Sequence, residues 1–577
     1  MYHLKKTVSI IIVTAATLSC AATTNEYHYT IEPIVRTMQE LMTTPPQTSG
    51  QKLLTRGLTR RNHHLNARKN MTNTHQEAAT TSVASKSKAK AKAPKTRKGT
   101  SAQTIGINIT AATVGNVQDP LVIPPNLNGW VGPQQYILMT YNIMRSFDKT
   151  TGQPDGMLNI DADSFFGVQS NDVRIDYDRF SQRWFFSCEG INPTTGLSSA
   201  LVLVVSSSAI IDTNTTWTTY VFSNAQMIPQ LRPQGSGALD YQQLAIDQNS
   251  VYIAVDAFDR NGDFYNTSAL VIQKSSINAN ALVAKVFTGI APGSNANLVS
   301  GFTPPADNFD TNPTFGYLVN ATNLQYPSGN TYTQLYLYRI NNPGSTNPTV
   351  GHMVTIPVPA YTDPANAPYA GNLFGSSAFL QTSFAKLNAP HVRNHQLFVC
   401  HNIQVDITGA GNPSGDRVGT RWYQFDLTGD STGQGGGTET TTTLPALVQW
   451  GTLHDSASTS NPLFYFNPSI MTNKNGDMVI GCTISGATAS PNAAYAGRAA
   501  ADPLGTLRTP VLVTSSSFSY NYGPFVNSSD GNIGQRWGDL SSMSPDPVDD
   551  LDIWSTQEFA AVQNGWGVQV TQLIPAV

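Results

Sequence analysis

The chain has 577 residues, 40% of them hydrophobic and only 12% charged, against about 25% charged in an ordinary globular protein. That composition excludes a coiled coil, a charge-rich disordered chain and a charge-laced helical bundle. Four cysteines exclude a disulfide-stapled scaffold, and 45 glycines and 35 prolines without a three-residue period exclude a collagen. The net charge of −3 hides two opposed blocks: residues 51–100 carry 13 Lys and Arg against one acid, Glu77, while residues 101–577 carry 18 basic and 33 acidic groups. Only Glu189, Glu439 and Glu558 of those acids are glutamates. Aspartate favours turns and glutamate favours helices, so the body reads as strands and turns.

Lys5 and Lys6 precede an apolar run over 8–18, and Ser19-Cys20-Ala21-Ala22 follow. This is the layout of a signal peptide over residues 1–22. The run is too short to span a bilayer, which needs about 20 residues. The expected product is secreted or held at the cell surface, with no transmembrane helix in the mature chain. Thr17-Leu18-Ser19-Cys20 resembles a bacterial lipobox, with Thr17 where an aliphatic residue is usual. It offers a lipid anchor at Cys20 as the alternative to cleavage near Ala22.

Residues 23–100 read as a flexible arm. Ile31, Ile34, Val35, Met38, Leu41 and Met42 approximate a helical stripe over 28–42. Beyond Pro45 and Pro46 the arm turns polar and basic, and 84–98 alternates Lys with Ala and Ser. Such a segment buries too little to offset its ordering entropy. It is a solvated linker or an electrostatic anchor to an anionic surface. Nucleic acid is not expected as a partner, because no aromatic residue interleaves with the basic ones to stack on bases.

From Thr104 onward, short alternating strands lie between Gly, Pro, Asn and Asp clusters, which indicates antiparallel sheets. Units start near Gly132, Asp172, Asp240, Asn312, His391, Asn467 and Asp539, at intervals of 40, 68, 72, 79, 76 and 72 residues. Seven such units predict an all-β fold, a seven-bladed β-propeller over 101–577, with two packed sandwiches as the alternative. Residues 105–109 fit the outermost strand of the last blade, which closes the ring and removes open edges. Residues 351–374 and 428–443 read as insertions. Cys188, Cys400 and Cys482 each lie in an apolar run and read as buried thiols, with one disulfide as the alternative.

Several stretches resemble a family of secreted bacterial sialidase-like β-propellers. They run through most of 130–570: Val131-Gly132-Pro133, Asn171-Asp172, Arg183-Trp184, Gly415-Asp416-Arg417, Arg421-Trp422-Tyr423, Tyr495-Ala496-Gly497-Arg498, and Arg536-Trp537-Gly538-Asp539 through Ser544-Pro545-Asp546-Pro547 to Trp554. The resemblance implies the fold; activity does not follow from fold. The Ser-x-Asp-x-Gly-x-x-Trp turns of true sialidases have no intact copy here. What it would imply for catalysis is a Tyr activated by a Glu, an Asp acid and three Arg gripping a carboxylate. Glu558 is the best-placed glutamate, with Asp539 as its acidic neighbour. Arg421, Arg498 and Arg536 could supply the ligand-binding guanidinium groups, whose fork suits that grip. The plainer alternative is that each Arg pairs with an Asp to lock a blade edge.

No Gly-x-Ser-x-Gly elbow, His-Glu-x-x-His motif or phosphate loop is present. Calcium is the one cofactor to weigh. Asp259-Arg260-Asn261-Gly262-Asp263 alternates oxygen donors, but its glycine is misplaced for a calcium loop. Asp546, Asp549, Asp550 and Asp552 crowd four acids into seven positions, so arginine partners or a metal ion are expected there. Two functions compete: a non-enzymatic propeller binding a carbohydrate or glycoprotein through its loop face, and a sialidase-like exo-glycosidase. A structural envelope or matrix protein is the third reading.

Overall fold

The computed structural model describes residues 25–43, 101–116, 124–140, 143–195, 197–230, 237–259, 264–277, 281–290, 302–321, 331–374, 378–428, 445–521, 525–526 and 533–576. Within them the chain is nearly all β, and seven antiparallel sheets follow one another as the blades of a propeller. Blade one spans 128–161, blade two 169–223 and blade three 238–290. Blade four runs from an irregular inner stretch at 303–308 to Tyr361; Ala306 N donates to Tyr317 O and Val319 N to Pro304 O. Blades five, six and seven cover 388–453, 464–512 and 542–575. The strand Gln103–Thr113 pairs antiparallel with Gly565–Pro575 and completes blade seven. The ring is therefore closed by the early strand expected at 105–109, and no blade is left open there.

The turn residues that mark the units have a backbone cause. In blades two, three, five and six the innermost strand shifts register at Asn171/Arg174, Asp240/Gln243, Asn388/His391 and Phe466/Ser469. At these corners Asp172, Tyr241, Ala389 and Asn467 have positive φ, and Asn126 and Phe302 repeat the feature in blades one and four. Asn and Asp tolerate that conformation better than most residues. Between the blades lie apolar seams, such as Leu201, Leu203, Val205, Val251, Ile253 and Val255 between blades two and three. Gly132 belongs to this packing: a Cβ there would overlap the fully buried Trp184 ring.

The arm is corrected at its beginning. Asn25–Ile31 pairs with Leu282–Ile290 as a fifth strand of blade three, and Ile34–Thr37 pairs with Thr216–Ser223 as a fifth strand of blade two. Only Met38–Thr43 is helical, not 28–42. The apolar spacing fits a helix, but two open blade edges offer a ladder of backbone partners, and tertiary pairing overrides local pattern. Ile31, Met38 and Leu41 are buried, while Ile34, Val35 and Met42 stay exposed. Glu26 ion-pairs with the buried Lys285 at 2.9 Å. The basic stretch 51–100 and the signal peptide 1–22 lie outside the described residues. Among those described, no helix is long and apolar enough to cross a membrane. Cys188, Cys400 and Cys482 are free, buried thiols.

Candidate functional site

At one end of the propeller axis the corners of the inner strands meet the ends of the second strands. Polar side chains there stitch blades together. Glu189 Oε1 accepts from Gln242 N of blade three at 3.1 Å, and its Oε2 accepts from Asn171 Nδ2 at 2.9 Å. Both oxygens of Asp256 accept from Phe302 N, at 3.0 and 2.8 Å. Asn402 Nδ2 reaches Asn467 Oδ1 of blade six at 3.4 Å. Glu558 Oε2 accepts from Gly538 N at 2.7 Å. All four are buried. Desolvation holds the carboxyls of Glu189 and Glu558 well above the usual range and pushes Asp256 up to about 7.

Three of the site residues read from the sequence come together. Arg536 Nη2 pairs with Asp539 Oδ2 at 2.8 Å, Arg536 Nη1 donates to Gln381 Oε1 at 3.0 Å, and the charges of both act on Glu558. Glu558 Oε1 is buried without a hydrogen-bond partner. Burial raises the Glu558 carboxyl beside the arginine-paired Asp539, so two carboxyl groups stand in unlike surroundings, an arrangement that acid–base chemistry uses. Both are 3% exposed, however.

The three-arginine grip is not assembled. Arg421 is buried in blade five, donates to Thr452 Oγ1 at 2.7 Å and Gly409 O at 3.3 Å, and stacks on Trp450. Arg498 pairs across the sheet with Met478, at the opposite end of that strand from Thr483, whose Oγ1 accepts from Trp537 Nε1 beside Arg536. It donates to Asp502 O at 2.7 Å.

At Asp546, Asp549 and Asp550, where the sequence offers arginine partners or a metal ion, cations of the chain itself approach the acids. Asp546 pairs with Lys149 at 2.9 Å, and Asp550 Oδ2 pairs with Arg179 at 2.9 Å and Arg393 at 2.8 Å. Asp549 Oδ1 accepts from Leu551 N and Asp552 N. Both arginines lie over the Phe309 ring. This clamp draws blades two, five and seven together at the far end. The calcium loop read at 259–263 falls, beyond Asp259, outside the described residues.

Among the described residues, the group of three acids close enough to share a cation is Asp172, Glu189 and Asp240, with oxygens within 4.8 Å of one another. Sequence reasoning weighed Glu189 only as a partner for a tyrosine. The usable signal was that Asp172 and Asp240 start adjacent units. Protein donors already engage these oxygens: besides the two on Glu189, Asn126 Nδ2 donates to Asp172 Oδ1 at 2.6 Å and Tyr241 N to Asp240 Oδ1 at 2.9 Å.

Of the insertion read at 351–374, Val354–Tyr361 is the outer strand of blade four, paired with Tyr332–Asn341, and only the stretch after it, to Phe374, crosses above blades six and seven as a cap on the face bearing these corners. Ala370 N donates to Ala489 O at 3.1 Å and Ser485 Oγ to Pro368 O at 2.7 Å. Asn521 ties three loops: its Oδ1 accepts from Leu373 N and Tyr369 OH, its Nδ2 donates to Gly371 O, and its N–H donates to Asn564 Oδ1. Around this knot Leu373, Phe374, Phe518 and Val562 are 76%, 40%, 41% and 42% exposed. Gln563 Nε2 donates to Ser519 Oγ beside them. The face thus offers two phenyl rings and two aliphatic groups among fixed amides.

No family model and no curated protein matches the chain. Solved structures do. A sialidase from Trypanosoma rangeli is 9% identical, with 70% of this chain and 54% of that one covered and a TM-score of 0.32. The WD40 domain of SCAP from fission yeast is 10% identical over 77% and 82%, with a TM-score of 0.30. An exo-β-1,3-galactanase from Phanerochaete chrysosporium is 9% identical over 66% and 80%, with a TM-score of 0.28. The chain spans about half the length of the sialidase it matches.

Proposed function

We propose that this protein is an exported β-propeller that binds carbohydrate, free or on a glycoprotein, through the cap over blades six and seven. The observation that supports this reading is the exposed set Phe374, Phe518, Leu373 and Val562 gathered around the Asn521 knot. Aromatic faces stack on sugar rings, and neighbouring amides accept and donate to hydroxyl groups. A glycan array probed with the full chain tests it. Specific retention lost in Phe374→Ala/Phe518→Ala supports the reading, and retention unchanged in that variant overturns the assignment of the face.

A second reading, a sialidase-like exo-glycosidase, is favoured by one observation: Glu558, Asp539 and Arg536 share one site, where burial raises the Glu558 carboxyl above its usual range. Bound glycans trimmed by the wild type and left intact by Glu558→Gln would select it. Export, with or without a lipid at Cys20, and attachment of the basic stretch 51–100 to an anionic surface belong to the same proposal; the mass of the mature amino terminus tests the first.

A further inference from the structure

At the end of the axis opposite Glu558 stands a pair of arginines that neither reading of function uses. The inner hairpin of blade seven fixes the two ends: Glu558 lies beyond Thr556, the partner of Ser542, while Asp550 lies in the turn that joins Ser542–Pro545 to Ile553–Val562. Arg179, in the corresponding turn of blade two, and Arg393, the last residue of the inner strand of blade five, both bond Asp550 Oδ2, at 2.9 and 2.8 Å. Their guanidinium carbons stand 5.0 and 4.8 Å from the centre of the Phe309 ring. Two cations thus share one oxygen of one carboxylate. Asp310, beside Phe309, is taken up by the backbone of blade five: its two oxygens accept from Asn394 N at 2.6 Å and His395 N at 2.8 Å.

Arg393 meets Asp550 through Nη1 alone. Its Nε and Nη2 are shut off from solvent without a hydrogen-bond partner, in a side chain that is 4% exposed. These two atoms form one edge of the guanidinium, whose parallel N–H groups grip a carboxylate or a phosphate by two bonds. The protein fills that edge elsewhere. Arg508 Nε and Nη2 donate to Asp502 Oδ2 and Oδ1 at 2.8 and 3.1 Å, and Arg417 Nε and Nη2 donate to Asp416 Oδ1 and Oδ2 at 2.8 and 2.9 Å. Among the described residues no other arginine leaves both atoms of this edge buried without a partner. A buried charged donor without an acceptor carries its full desolvation penalty, so an acceptor from outside the chain stabilises the arrangement. Asp550 Oδ1 is buried without a partner as well. The complement of these three atoms is an anion with two acceptor oxygens and an O–H, which describes a hydrogen phosphate; a carboxylate lacks the O–H, and water lacks the charge and the paired oxygens.

We propose that Arg393 and Arg179 form a seat for a hydrogen phosphate group, free or as a monoester, at this end of the axis. Arg393 holds two oxygens through Nε and Nη2, Arg179 supplies the second positive charge, and the phosphate O–H donates to Asp550 Oδ1. Arg179 and Asp550, 17% and 23% exposed, form the solvent side of the seat. The seat stands apart from the cap and from Glu558, so it holds whichever reading of function survives.

The test is the unfolding constant of the full chain in urea as inorganic phosphate, methyl phosphate or acetate replaces chloride at constant ionic strength. It is run at about pH 5, where a monoester keeps its second proton, whose pKa is about 6. Inorganic phosphate should lower the constant about tenfold at about ten times its dissociation constant. Arg393→Lys, which keeps the charge but not the edge, should abolish that effect. An equal response to methyl phosphate assigns the seat to monoesters as well, and a response to phosphate alone assigns it to the free ion. No effect of phosphate on wild type, acetate as effective as phosphate, or an undiminished effect in Arg393→Lys overturns the seat. If Arg393→Lys does not fold, crystals of wild type grown with arsenate decide: anomalous density within hydrogen-bond reach of Arg393 Nε and Nη2 supports the seat, and a water molecule or no density there overturns it.

Discussion

Replacing Glu558 by glutamine and by alanine separates a carboxyl that closes blade seven from one that turns over a substrate. In the fold, burial above all, with the neighbouring Asp539 charge, raises the group towards its protonated form, and the Gly538 N–H and Arg536 oppose that shift. A glutamine side chain copies that form: its carbonyl accepts from Gly538 N as Oε2 does, and its amide stands where the protonated oxygen lacks a partner. Alanine strands the Gly538 N–H at about 1–3 kcal/mol and removes one CH₂ worth about 0.8 kcal/mol, so Glu558→Ala should cost roughly 2–4 kcal/mol. The sign with pH is fixed. Wild type carries the full contribution below the unfolded glutamate value near pH 4.3 and loses it as pH rises towards the raised folded value. Glu558→Gln should therefore match wild type in urea at pH 5 and exceed it at pH 8, while Glu558→Ala is destabilised at both. Equal damage from glutamine and alanine at pH 5, or a glutamine effect that does not change with pH, would refute this account of the carboxyl. Scoring glycan cleavage on the same proteins then isolates chemistry from folding.

Four further perturbations probe the packing. Gly132→Ala forces a methyl group into the Trp184 ring and should cost about 1–3 kcal/mol, with Trp fluorescence reporting the displaced indole. Asp550→Ala leaves Arg179 and the buried Arg393 facing each other without their anion; since Asp550 is 23% exposed, the loss should fall at the lower end of roughly 3–5 kcal/mol, read as a drop in Tm. Met38→Ala removes a side chain seated among Phe165 and Trp217 and should weaken the seating of residues 25–43 by about 2–5 kcal/mol, seen as proteolytic cleavage there while the ring resists. His391 and His401 are buried neutral, each lowered to about 3 by desolvation, so both penalise the fold as pH falls below about 6.5; a calorimetric Tm that rises on acidification from pH 6 to 4 in His401→Gln but not in wild type would display that penalty.

The extent to which the sequence revealed this molecule follows from where each signal resides. The starts near Asp172 and Asn467 were legible because the corner has a local cause, a bulge that asks for positive φ which Asp and Asn adopt, whereas Gly132 and Asn312 mark the turn after the inner segment of blades one and four rather than its start. The closing strand at 105–109 was legible because ring closure is a topological demand that some strand must meet. The strands at 25–37 were not, since their partners lie about 180 to 260 residues away and their own pattern, half exposed, fits a helical stripe equally well. Glu558, Asp539 and Arg536 were found together because they lie close in sequence, the latter two in the segment that leads into blade seven. Glu189 was missed as a partner of Asp172 and Asp240 because that meeting depends on the packing of one blade against the next. The same limit separates the arginines. Arg421, Arg498 and Arg536 look alike in sequence, yet Arg421 lies in the middle of Arg417–Asp426, Arg498 ends Ala489–Arg498 and Arg536 follows Ile533–Gln535, and a strand end falls on one of two opposite faces according to the strand's direction. A carboxyl or guanidinium in a propeller is therefore assigned by blade and strand direction before it is assigned a role. By that criterion the buried acids hold neighbouring strands and blades together, and the exposed Phe374 and Phe518 beside the Asn521 knot are the groups on which the proposed carbohydrate reading rests.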